Sequence, residues 1–409
     1  MKTVKLISIL SAVLFSLSGC QHPEIQVVDF DTFHVLSTKS SCAFMDSGEL
    51  NPEVRLMDIG DGDPDTKIAA VTGQSIVKEL LGSIQSNNLI HIAGTYQGKD
   101  VNGAPLTLSG KLLVPAKGPV KNLIIVSHFT IGANFECPSE SFPLEGILAT
   151  KGYAVAIADY IGFGVTSKMI HPYMHTASTA QSVVDMALAV KPYLAHIGRK
   201  PQSEEVILVG YSQGGSTTMA VMKMIQDQYP ADFPIKKVYA GGGPYDLNAT
   251  FDLSMEEDVT GIPCAIPMIV QGINEGEGLN LDMSDFFQPN LLENYNDWIN
   301  SKRYTVGQIN KLMGAKALHD LMTPEGRDKT SAQTALLYRA LLINSTLNFT
   351  PRAPIYMMHS RQDRTVPFIN AQKAEQFFKF NNVHFDFGDY GSHSLAALRF
   401  ILNVANDLQ

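Results

Sequence analysis

Val206-Ile207-Leu208-Val209-Gly210-Tyr211-Ser212-Gln213-Gly214-Gly215 is the stretch that decides the fold. The apolar run Val206 to Val209 predicts a short strand covered on both faces, and a helix is predicted to begin near Ser216. A serine with glycines two places before and two places after it, at a strand-to-helix junction, has the form of a nucleophile elbow. That turn is too tight for bulk at Gly210 and Gly214. It would lift the Ser212 hydroxyl out of the sheet toward the N–H groups at the start of the next helix. The plainer reading is a glycine-rich turn with a bystander serine, so partners for Ser212 have to be found elsewhere in the chain.

Working outward, Leu89 to Tyr96 and Leu106 to Pro115 are β-rich runs separated by Asn102-Gly103, which predicts an antiparallel hairpin. Continuously apolar runs follow at Leu123 to Val126, Tyr153 to Ala158, Val238 to Ala240, Ile355 to Met358 and Val383 to Phe387. Helical patterns lie between them at Phe142 to Lys151, Ser178 to His196, Ser216 to Tyr229, Val366 to Phe380 and Leu395 to Asp407. Alternation of this kind predicts an α/β chain with a doubly wound, mostly parallel sheet. The rhythm breaks between Gly243 and Pro354, where amphipathic segments appear around Asp285 to Asn300, Thr305 to Leu321 and Thr330 to Asn344. An insertion there, between the sixth and seventh core strands, reads as a helical cap over the site. Met255, Met268, Met283, Met313 and Met322 would give it an adaptable lining, or would simply pack its helices. The expected organisation is residues 1–19 as a targeting segment, 20–85 as a tether and irregular region, 86–243 with 355–409 as the core, and 244–354 as the cap.

The chain has 409 residues, 45% hydrophobic and 17% charged, which is ample for a large core. Its formal charge of −9 becomes −11 once Lys2 and Lys5 leave with the first nineteen residues, and argues against nucleic acid as a partner. Those lysines, the apolar run Leu6 to Leu17 and the ending Leu17-Ser18-Gly19-Cys20 make a targeting segment too short to span a bilayer comfortably. The ending resembles a bacterial lipobox. By that resemblance Cys20 is acylated and holds the protein to a membrane of the cell envelope, outside the cytoplasm. The alternative is an ordinary secretory signal. Of the remaining cysteines, Cys42 is expected to pair with Cys137 or Cys264, leaving one thiol over. Gly60 to Asp65 alternates acids but lacks the glycine and glutamate of a calcium loop, so a solvated turn is expected. No His, Asp or Glu grouping has metal spacing, and no metal or cofactor is implied.

A neutral serine needs a base, and the base needs a group to orient it. Asp363 lies in the turn after the strand Ile355 to Met358, and His393 in the loop after Val383 to Phe387. Asp246, after the strand Val238 to Ala240, is an alternative acid. Asp389 reads as a surface charge, His359 and His384 as core histidines. His171 and His175 border the predicted pocket without a motif that would make them catalytic, and Arg361 and Arg364 flank the acid turn.

Serine, acid and histidine in that chain order resemble the α/β-hydrolases. Asp159-Tyr160-Ile161-Gly162-Phe163-Gly164 with His171-Pro172-Tyr173, together with the long cap, resembles the secretory-lipase branch. Gln213 departs from the residue expected at its place in that branch. The resemblance implies hydrolysis of carboxylic esters, with Ser212 as nucleophile, His393 as base and Asp363 as orienting acid. It implies an oxyanion hole made by the N–H of Gln213 and one from the loop His128-Phe129-Thr130, with Thr130 the first choice and Phe129 the second. Deacylation of a polysaccharide, cleavage of a peptide bond, and a binding protein on a hydrolase fold are the competing functions.

Overall fold

The computed structural model describes residues 27–41, 45–46, 49–50, 54–55, 75–76, 89–258 and 262–408. The targeting segment, Cys20, Cys42 and the acidic turn at Gly60 to Asp65 lie outside the described residues.

A nine-stranded sheet organises the molecule. Its strands are β1 (His34–Ser41), β2 (Leu89–Lys99), β3 (Pro105–Pro115), β4 (Leu123–Ser127), β5 (Ala154–Ala158), β6 (Val206–Tyr211), β7 (Ile235–Gly241), β8 (Ile355–Ser360) and β9 (Val383–Gly388). They lie in the spatial order β1-β2-β3-β5-β4-β6-β7-β8-β9. β1, β2 and β3 run antiparallel to their neighbours, and the strands from β5 to β9 pair in parallel. The hairpin between β2 and β3 turns at Gly103, whose φ of 82° suits glycine, while the Asp100 carboxylate accepts the amides of Asn102 and Ala104.

Every residue of β4, β5 and β6 is buried. Successive side chains on a strand face opposite layers, so an unbroken apolar run means that both faces are covered. Leu208 thus joins the cluster under α1 (Thr176–His196) and α2 (Gln213–Gln228), while Ile207 and Val209 join the one under α8 (His393–Asp407) on the other side. Each fully buried aliphatic side chain is worth about 1.5–3 kcal/mol, so these central strands hold the sheet rigid beneath the site.

Two expectations need correcting. Residues 20–85 are not wholly irregular, because β1 pairs with β2 and is pinned by Phe33, which is fully buried against Gly94. A bulge between Val35 and Ser37 breaks the two-residue period, and most of the strand faces solvent, so neither hydrophobic signal survives in the sequence. The predicted helix at Phe142 to Lys151 is a two-residue strand followed by a 3-10 turn run, Leu144–Lys151. It is enclosed on nearly all sides and ends at Gly152 with φ 89°, which leaves no solvent face to give a helical period.

Between β7 and β8 the chain leaves the sheet and builds α3 (Leu247–Glu257), α4 (Ala265–Glu277), α5 (Val306–Met313) and α6 (Ala332–Ile343), with shorter turns between them. α7 (Ile369–Phe377) then follows β8. The inserted helices bury a hydrophobic cluster of their own, centred on Phe251, Phe286 and Phe287. Met268, Met313 and Met322 are part of that cluster and Met255 and Met283 pack on it, so these methionines fill helix contacts and do not line the cavity below.

Candidate active site

Ser212 stands where β6 ends and α2 begins, with φ 60° and ψ −126°. A non-glycine residue in that region is strained by about 1–3 kcal/mol, and it is held there because the turn has no room to relax. A Cβ on Gly210 would run into the backbone of Gly214, and one on Gly214 into the carbonyl of Ser127. The helix begins at Gln213, three residues before the expected start, so Ser212 is its N-cap and the Gln213 N–H is among the helix-start donors with no intrahelical acceptor.

The three predicted partners meet although they are distant in sequence. His393 Nε2 is 2.8 Å from Ser212 Oγ, and His393 Nδ1 is 2.5 Å from Asp363 Oδ2. All three side chains are buried, His393 completely. The other oxygen of Asp363 accepts the N–H groups of Thr365 and Val366, each at 2.9 Å, which fixes the carboxylate plane. A carboxylate accepts only, so Nδ1 carries the hydrogen and Nε2 faces the serine hydroxyl as an acceptor. His393 is the first residue of α8, and its carbonyl accepts the hydroxyl of Tyr211, the residue before Ser212, at 3.0 Å. One tyrosine therefore ties the elbow to the helix that carries the imidazole.

The competitors are elsewhere engaged. Asp246 caps α3, its carboxylate accepting the Ala249 N–H at 2.9 Å. Asp389 is exposed, as a surface charge should be, whereas His384 is not the core histidine expected: it is exposed and stacks on Tyr356. His359, read from the sequence as a core residue, is buried but sits against the acid: Nε2 is 3.0 Å from the Val366 carbonyl and 3.6 Å from Asp363. Burial holds its pKa below the usual imidazole value. His175 packs between α1 and α4, with Nδ1 2.8 Å from Ser178 Oγ.

A cavity of about 450 Å³ opens over Ser212, and Gln213 and Thr130 both line it. Its walls are mainly apolar, with Leu253 from α3, Ile266 and Ile269 from α4, and Val366 and Phe368 from the turn after β8. Arg361, Arg364 and Glu257 supply charge. Among the described residues there is no cluster of three or more His, Cys, Asp or Glu side chains able to hold a metal ion, and no helix is long and apolar enough to cross a membrane.

Comparison with known proteins gives this geometry a family. The secretory lipase family model matches residues 137–393, well over half of the chain. The chain belongs to the secretory lipase family. As such it is an ester hydrolase of the α/β-hydrolase fold. No curated protein matches the sequence. Among solved structures, it is similar to the rice cell wall degrading esterase LipA of Xanthomonas oryzae, with 26% identity, a TM-score of 0.69, and coverage of 82% of this chain and 92% of that one. A Legionella pneumophila protein shares the fold at TM-score 0.73 and 21% identity, covering 84% of this chain and 94% of that one. Candida antarctica lipase A shares it at TM-score 0.55 and 16% identity, covering 75% of this chain and 73% of that one.

The secretory lipase stretch Asp159 to Gly164 has a physical role here. The Asp159 carboxylate is fully buried, accepts the Ser109 hydroxyl at 2.6 Å and the Ser139 N–H at 2.8 Å, and has its pKa raised by burial. It thus ties β3 and the segment after β4 to the end of β5. The Tyr160 hydroxyl donates to the His128 carbonyl at 3.2 Å, and the Tyr160 ring stacks on His128 at 3.9 Å, steadying the loop that carries Thr130. The expected disulfide involves Cys42, which lies outside the described residues; among those described, Cys137 and Cys264 are not bonded to each other and are free thiols. Each is sealed in a different apolar cluster, Cys137 beside Phe129 and Cys264 within the inserted helices.

Proposed function

We propose that this secretory lipase is a serine carboxylesterase working through an acyl-enzyme at Ser212. The observation that carries the reading is the continuous relay from Ser212 Oγ to His393 at 2.8 Å and from His393 to Asp363 at 2.5 Å. Ser212 attacks the ester carbonyl while His393 Nε2 takes its proton, and Asp363 balances the imidazolium that forms. The tetrahedral oxyanion is held by the Gln213 N–H and a second donor on the Thr130 loop. His393 then gives the proton to the leaving alcohol. In the second half it deprotonates water, which attacks the acyl carbonyl and frees Ser212. The apolar walls of the cavity suit an acyl chain.

The test is labelling with a serine-reactive fluorophosphonate, followed by a p-nitrophenyl ester series of increasing chain length. Wild type should label once, at Ser212, and Ser212→Ala and His393→Ala should each lose about 10⁴-fold or more in kcat/KM. Retained activity in Ser212→Ala would overturn the reading.

A second reading of the substrate is an ester on a cell-wall polymer, favoured by similarity over most of both chains to an esterase described as cell wall degrading. Assaying acylated oligosaccharides beside aliphatic esters separates the two. The proposal places the protein outside the cytoplasm of a bacterial cell, anchored through acylated Cys20. Incorporation of an alkyne fatty acid that disappears in Cys20→Ser tests the anchor.

A further inference from the structure

We infer that His171 and Tyr173 are positioning residues of the oxyanion hole, one short loop bracing both of its proposed donors. The inference rests on the serine hydrolase reading and adds residues that the reading does not need. Gln213 and Thr130 come from different elements, the start of α2 and the loop after β4, and something has to hold them in register. His171 Nε2 lies 3.2 Å from Gln213 Nε2, and the Tyr173 hydroxyl lies 2.8 Å from Thr130 Oγ1. The two contacts leave the same segment, two residues apart.

The first contact has a defined direction. His171 Nδ1 is 2.6 Å from the carbonyl of Ile161, which can only accept, so Nδ1 carries the ring hydrogen. Nε2 therefore presents a lone pair, and the side-chain amide of Gln213 donates to it. Burial keeps the ring neutral, with its pKa lowered to about 3, and the nearby Lys302 ammonium acts in the same sense. Gln213 is itself buried and lines the cavity, so this bond locks the side chain of the residue whose backbone N–H is the proposed oxyanion donor.

The brace is seated from two sides by glycines. Gly162, with φ 91°, lies so close beneath that a Cβ there would come 2.6 Å from His171 Cα. Gly272 of α4 presses on the other side, where a Cβ would come 2.7 Å from Tyr173 Cα. Gly162 belongs to the secretory lipase stretch and Gly272 to the inserted helices, so the donors are referenced to both halves of the molecule.

A purely structural His171 would matter only as a ring, stacked in line with Tyr160 and tilted against Phe163 and Tyr173. Two substitutions separate the roles. His171→Phe keeps an aromatic ring and loses the acceptor; His171→Gln loses the ring and keeps an acceptor of similar reach. Removing an oxyanion donor outright costs about 10²–10³ in kcat, so misplacing one should cost His171→Phe about 10- to 100-fold in kcat with KM nearly unchanged. His171→Gln should recover most of that loss. The double variant His171→Phe/Gln213→Leu should be no worse than its poorer single parent, because both remove the same bond. Tyr173→Phe should lose several-fold in kcat. All rates are normalised to the Ser212 sites titrated by fluorophosphonate in folded protein. Wild-type kcat in His171→Phe, a poorer His171→Gln than His171→Phe, or losses that multiply in the double variant would overturn the inference. Failure of wild type to label at Ser212 would instead overturn the serine hydrolase reading beneath it.

Discussion

In the sheet, position is set by backbone: β6, β8 and β9 lie in one parallel array, and their C-terminal ends deliver Ser212, Asp363 and His393 within hydrogen-bond reach. In the inserted helices, position is set by side-chain packing, through a cluster that shares no residue with the two layers around the sheet. The difference teaches where a substitution should be felt. Directional bonds fail in kcat, whereas packing fails in stability and in how the cavity is walled.

Asp363→Asn is the largest way to break that contrast. Thr365 and Val366 would still hold the side chain by its remaining oxygen, so the fold should survive while kcat falls by about 10³- to 10⁴-fold through the wrong imidazole tautomer. Wild-type kcat in this variant would show that the sheet rim is not the working region. Phe286→Ala is its counterpart in the inserted helices, where the ring is fully buried. Chemical denaturation should show a loss of about 3–5 kcal/mol, with kcat per folded molecule within a few-fold of wild type.

Glu145 sharpens the boundary between the two behaviours. It is fully buried behind the sheet, neither carboxylate oxygen makes a well-formed hydrogen bond among the described residues, and desolvation raises its pKa to about 7 against the weaker opposing pull of its own and Phe129's backbone amides. Because the folded value lies above the unfolded one, its contribution is fully present below about pH 4.5 and is lost as pH rises through about 7. Wild type should therefore lose about 3 kcal/mol of stability relative to Glu145→Gln across that window. Parallel curves for the two proteins between pH 5 and 8 would contradict it.

The smallest expected effect is none at all. Burial pushes the Cys137 thiol far up and the Cys264 thiol to about 12, so iodoacetamide at pH 8 should modify neither until the protein is unfolded. Alkylation of Cys264 in folded protein would mean that the inserted helices open readily.

What was legible in the sequence follows the same division. Apolar runs announced the parallel strands because both faces are covered, and Gly210, Gly214, Asp363 and His393 were readable because each sits beside such a strand. β1 was not, since its ladder to β2 depends on backbone bonds and its bulge erases the period. α3 and α4 went unremarked although their residues line the cavity; α4 carries Pro267, Gly272 and Gly276, which read as helix breakers in the sequence. His171 carried no catalytic signal by itself. Its meaning depends on Gln213, forty-two places away, and on a tautomer that only the Ile161 carbonyl defines.

The backbone at residue 212 carries a last consequence. Its dihedrals favour an amino acid without a side chain, so Ser212→Gly should give a protein that is inert toward esters yet melts at a higher temperature than its parent. Natural selection for durability alone would discard that hydroxyl, and its presence there measures how much ruggedness has been surrendered for turnover.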